Sequence, residues 1–137
     1  MTATITTAPT KTVAPLGPLL RDGAIATVLA ATATTVAAAV GHAAGISLNV
    51  AGAPIPITGF AVMTALFSVI GLLIAIALRR FTARPRTAWL RTTVALTALS
   101  FTPDLLADAT PTTKALLMTT HLIAAALVIP TIARRLR

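Results

Sequence analysis

Five residues in this chain combine reactive chemistry with a placement that could use it. Asp104 and His121 form a candidate catalytic pair, able to pass a proton between carboxyl and imidazole. His42, Ser100 and Asp108 are the candidate ligand-binding residues around them. Ionisable groups inside long apolar stretches are costly to keep there, which makes them functional candidates by default. Thr93, Thr97, Ser100, Asp104 and Asp108 follow offsets of 4, 3, 4 and 4, the spacing of one helical face. Thr35 and His42 share a face, as do Lys114 and His121. The structural alternative is that both aspartates hydrate near an interface while His121 bonds a carbonyl or carboxylate between helices.

Two histidines and two aspartates could ligate a borderline divalent metal in principle. No HExxH or other fixed-spacing metal motif is present, so no metal and no cofactor are expected. With no cysteine there is no disulfide, thiol redox couple or Cys-ligated cluster. Walker, G-x-G-x-x-G and G-x-S-x-G motifs are also missing.

Composition decides which elements must hold these residues. Of 137 residues, 56% are hydrophobic and 10% charged, against roughly 25% charged in an ordinary globular chain. Such a chain cannot cover a water-facing surface with polar groups, which excludes a soluble domain. Four stretches meet or approach the about 20 apolar residues that cross a hydrocarbon core. They are 24–44, 58–78, 88–108 and 115–133, the third being weakest because it carries Arg91, Pro103 and Asp104. Lipid-facing backbone has to be helical. With short connections, the chain is expected to be an all-α membrane protein, an antiparallel four-transmembrane-helix bundle.

Residues 1–20, mostly Thr, Ala and Pro, are expected to form a disordered cytoplasmic tail, and 21–137 one membrane domain. The uncharged link 45–57 reads as a passive connector; its alternation of Ile46, Leu48 and Val50 with Ser47 and Asn49 offers a lid against the membrane as the alternative. Pro103 cannot bond back to Leu99 and is expected to kink the third helix just below Asp104. It reads as the start of unwinding near the helix end, with a freed carbonyl beside the carboxylate, ready for an ion or ligand, as the alternative.

Charge placement gives orientation. The net charge is +8. Lys11, Arg21, Arg79, Arg80, Arg84, Arg86, Arg91, Arg134, Arg135 and Arg137 fall on one side of a four-span topology, and Lys114 alone on the other. The positive-inside rule then puts both termini in the cytoplasm and the protein in the cell membrane. The basic belt would meet a bilayer with anionic headgroups on that side. It has no interleaved stacking aromatics, so no nucleic acid partner is expected. Trp89 reads as an interfacial anchor and Arg91 as a snorkelling side chain. Ala26, Ala30, Thr34 and Ala38, with Gly71 and Ala75, are small residues at helical spacing that permit close helix contact within the chain or in a homo-oligomer. A cleaved signal peptide ending at Ala37-Ala38-Ala39 competes with retention of helix one; the long leader and Asp22 favour retention.

Several short motifs run through most of the chain. They are Gly45-Ile46-Ser47 opening a Pro-bearing loop, Arg79-Arg80, Leu99-Ser100-Phe101 with Pro103, His121-Leu122, Val128-Ile129-Pro130 and Ala133-Arg134-Arg135-Leu136. In these the chain resembles an actinobacterial family of small four-helix integral membrane proteins known as a domain of unknown function. The resemblance implies an integral membrane protein with His121 in the family pattern, and no activity. The leading functional expectation is a non-enzymatic membrane protein acting through helix packing or partner contact. The alternatives are a small membrane enzyme or lipophilic-ligand binder using an Asp104/His121 site in the outer half of the membrane, and a proton-coupled small transporter. Against the transporter, the first helix holds no carboxylate beyond Asp22 at its edge.

Overall fold

The computed structural model describes residues 15–136. Residues 1–14 of the expected disordered tail lie outside the described residues. Four helices follow in chain order: α1 Gly17–Ala43, α2 Ile57–Phe81, α3 Pro85–Leu106 and α4 Pro111–Ala133. A two-residue hairpin, β1 Asn49–Val50 with β2 Ala53–Pro54, lies between α1 and α2.

Prolines mark every helix start. Pro18, Pro85 and Pro111 occupy the first or second position of α1, α3 and α4, and extended Pro56 caps α2. A proline there has a φ already suited to the helix and gives up an N–H that would go unbonded anyway. Thr110 completes the start of α4, its hydroxyl accepting the Thr113 N–H at 3.3 Å. The helices therefore begin ahead of their apolar stretches, at 17 instead of 24, at 85 instead of 88 and at 111 instead of 115. Residues 17–20, expected in the tail, form the first turn of α1, with Leu19 buried. At its far end α3 stops at Leu106, three residues after Pro103.

α1, α2 and α4 are each long and apolar enough to cross a membrane, while α3, with Arg86, Arg91 and Asp104, is not among them. Burial is inverted relative to a water-soluble core. Along α2 only Phe60, Ser68 and Ala75 are buried, whereas Val62, Met63, Leu66, Phe67, Val69, Ile70 and Leu73 are exposed. Small and weakly polar residues (Ala26, Ala30, Thr34, Ala38, Ala75, Thr113) share the interior with a few large side chains, Leu19, Trp89, Ile132 and Leu136.

α1 occupies the middle of the packing, against α2 on one side and α4 on the other, and α3 is held chiefly by α4. Its buried residues are Leu19, Gly23, Ala26, Ala30, Thr34, Ala38 and Gly41, one stripe from end to end. The predicted small-residue face thus lies within the chain, and two glycines extend it. A Cβ on Gly23 would stand 2.8 Å from a Leu72 methyl, and one on Gly41 2.8 Å from a Leu116 methyl. Midway, the Thr34 and Thr64 hydroxyls meet at 2.9 Å and join α1 to α2.

Trp89 corrects the interfacial expectation. It is 1% exposed, its indole N–H donates to the Ile129 carbonyl of α4 at 3.0 Å, and its ring faces Gly71 of α2. A tryptophan with its N–H satisfied is a large apolar filler, and this one closes the space that the small residues leave. The connector is likewise packed onto the helices. Leu48 is buried with Ala38 and Phe60, and Ala51 and Gly52 both take positive φ in the tight hairpin turn.

Candidate functional site

Two hydrogen bonds tie the hairpin to the α3–α4 connection: Thr113 donates its hydroxyl to the Ser47 carbonyl, and the Ala51 N–H donates to the Asp108 carbonyl at 2.8 Å. The C-terminal ends of α1 and α3 and the N-terminal ends of α2 and α4 are thereby gathered. Lys114 adds a further link, its ammonium donating to the Leu105 carbonyl at 2.8 Å. That carbonyl is among the last of α3, which an intrahelical N–H cannot reach, so a cation there is doubly favourable. Near this end, α3 and α4 bring the candidate pair together.

Asp104 Oδ2 lies 3.0 Å from His121 Nδ1. The carboxylate is largely buried, at 11% side-chain exposure, and the imidazole is 39% exposed. The same Nδ1 stands 2.9 Å from the Leu117 carbonyl, one turn back on its own helix. Asp104 Oδ2 makes no hydrogen bond of good geometry among the described residues, and its 3.0 Å approach to Nδ1 is an ion pair only when the imidazole is protonated. A carbonyl oxygen can only accept, so the contact with Leu117 places a proton on Nδ1. In the neutral ring Nε2 is then the bare acceptor, and it has no hydrogen bond among the described residues. Phe101 stands edge-on to the ring, with centroids 6.4 Å apart and planes at 82°. It precedes Asp104 by three residues, so one face of α3 supplies both neighbours of His121.

The remaining candidates do not join this pair. Ser100 turns its hydroxyl back to the Thr97 carbonyl of its own helix, at 2.7 Å. Asp108 falls beyond the end of α3 and is exposed, so the expected stripe stops at Asp104. Pro103 takes out a backbone bond and Thr110-Pro111 starts the next helix, leaving Asp108 in the turn. His42 sits exposed in the last turn of α1. No group of three His, Asp or Glu close enough to hold a metal occurs among the described residues.

Two contacts escaped sequence reasoning. Phe101 carries a signal, its spacing of three from Asp104. At the opposite end Arg135 grips Asp22 through Nη2 at 2.6 Å and Nε at 2.7 Å, with Arg21 on the other carboxylate oxygen at 3.3 Å. Nothing in the spacing of residues 22 and 135 announces that tie.

The chain belongs to a family of unknown function, DUF6069, whose model matches residues 14–137. No curated protein and no solved structure matches it.

Proposed function

We propose that this member of the family is a four-span cell-membrane protein, an antiparallel bundle with both termini in the cytoplasm. Its Asp104–His121 pair receives a lipophilic ligand that carries a hydrogen-bond donor. The observation behind the ligand is the half-open imidazole. Nδ1 is occupied by the Leu117 carbonyl, with Asp104 beside it, while in the neutral ring Nε2 is an acceptor with no partner among the described residues, on a ring that is 39% exposed. In hydrocarbon such an acceptor binds a hydroxyl or amine without competition from water. The carboxylate at 3.0 Å compensates the ring if a proton is taken up.

The topology is supported by the apolar outward face of α2, by three helices of spanning length and by the one-sided arginines. α3 crosses in this reading because α4 covers its acid and Trp89 fills the opposite end. The Ala- and Arg-rich, Lys-poor composition supports an actinobacterial source. Partner contact is the weaker reading, because the small residues that would serve it are buried within the chain.

Ligand and topology are tested separately. Protein purified from native membranes should release on solvent extraction a lipophilic compound with a hydroxyl or amine, detected by mass spectrometry. His121→Ala and Asp104→Asn should lose it while Trp89 emission stays unchanged. An identical extract from all three proteins would overturn the ligand. The chain has no cysteine, so single cysteines at exposed Asn49, Thr112 and Ala83 report without background. The first two should label from outside intact cells and the third should not; the reverse pattern refutes the orientation.

A further inference from the structure

At the end away from the pair, the α2–α3 turn forms an open concavity of about 430 Å³ lined by Ala83, Arg84, Pro85, Arg86, Thr87 and Leu136. Leu136 is fully buried beneath it, while Arg84 and Arg86 are exposed at the sides. The chain has three acidic side chains, and none serves these two arginines. Asp22 is taken by Arg135 and Arg21, Asp104 faces His121, and Asp108 lies in the α3–α4 connection. Neither Arg84 nor Arg86 forms an ion pair among the described residues.

We infer that this concavity binds the phosphate of a group with net negative charge, the two arginines repelling a choline cation beside it. Arg84 and Arg86 both line the concavity and are exposed, and a guanidinium fork pairs with phosphate oxygens through charge-assisted hydrogen bonds. A tetrahedral phosphate presents oxygens in several directions and can meet both forks, with the Thr87 hydroxyl as a further donor. Ala83 and Pro85 give the concavity an apolar part that suits the glycerol and first methylenes of a phospholipid; a free phosphate shares the headgroup chemistry. The site stands apart from Asp104–His121 and holds or falls independently of that reading.

The full chain in detergent, incubated with phosphatidic acid, phosphatidylglycerol or phosphatidylcholine, should retain the first two and release the third in native mass spectrometry. Titration with inorganic phosphate provides the arm for a soluble source. In the double variant Arg84→Gln, Arg86→Gln the bound fraction should fall by about tenfold or more, as loss of charge-assisted contacts to phosphate implies. The pair Arg80→Gln, Arg91→Gln removes equal charge outside the concavity and should lower it far less. Arg84→Lys with Arg86→Lys keeps the charge and should retain binding at a reduced level, which guards against a folding artefact. Retention of phospholipid alone assigns the site to a headgroup, and equal binding of inorganic phosphate assigns it to a soluble anion. Equal losses in the two glutamine pairs, retention of phosphatidylcholine, or no binding of any probe overturns the inference.

Discussion

The hydroxyl contact between Thr34 and Thr64 offers a direct measurement of what holds α1 to α2. Thr34 has one proton and two neighbours, the Ala31 carbonyl at 3.2 Å and Thr64 Oγ1 at 2.9 Å. Both contacts are satisfied if Thr34 donates to Ala31 and accepts from Thr64. Replacing either residue by Val keeps the shape and removes the pair. The coupling should nevertheless be small. Threonines elsewhere in this chain bond to their own helix: Thr27 to Gly23, Thr35 to Ala31, Thr93 to Trp89 and Thr131 to Leu127. The widowed hydroxyl has the same refuge, so only the difference between the two partners is lost. Comparable interhelical pairs in a bilayer average about 0.6 kcal/mol and reach about 1.7 kcal/mol. A double-mutant cycle on Thr34→Val and Thr64→Val should give a coupling near the lower figure, with unfolding followed in mixed micelles of rising denaturing detergent. A coupling of zero, or one well above about 1.7 kcal/mol, would refute the reasoning.

Further outcomes follow from the packing. Ala30 is fully buried, so Ala30→Leu should cost about 1–3 kcal/mol in the same titration, as overpacking does, whereas Val28→Leu on the 65% exposed outer face should change little. Trp89 emission should be blue-shifted and unaffected by aqueous quenchers, and strong quenching would return the residue to the interface. Asp22→Asn should speed hydrogen exchange at the backbone N–H groups of Arg135 and Leu136, which bond to Ile132 and Ala133, while exchange near Lys114 stays constant. Lys114→Met should loosen the last turn of α3, read as faster exchange at Leu105 and Leu106.

Four helices and the small-residue face of α1 were legible because both depend on local pattern, apolar runs and a repeat of four. Helix starts were readable from Pro18, Pro85 and Thr110-Pro111, but apolar runs alone place them late, since the first turns carry few apolar residues. Asp104 and His121 stood out as ionisable groups in apolar surroundings; their approach depends on how α3 meets α4, which neither segment encodes alone. Trp89 misled because tryptophan suits both interface and core. The choice is made by Gly71 and the Ile129 carbonyl, on helices distant in sequence.

The distribution of apolarity among the helices bears on the order in which the chain enters a bilayer. α1 and α2 are each hydrophobic enough to partition separately, and their seam closes between them. α3 is not, and its acid would arrive bare if it entered alone. The partner is His121, on the next helix, across a turn that Lys114 and Thr110 already fasten to the end of α3 and the start of α4. In the proposed topology the second half of the chain therefore inserts as a hairpin. A nascent chain halted after Leu106 should leave α3 on the translocon or at the membrane surface. Synthesis through α4 would carry the carboxylate across in the company of its imidazole.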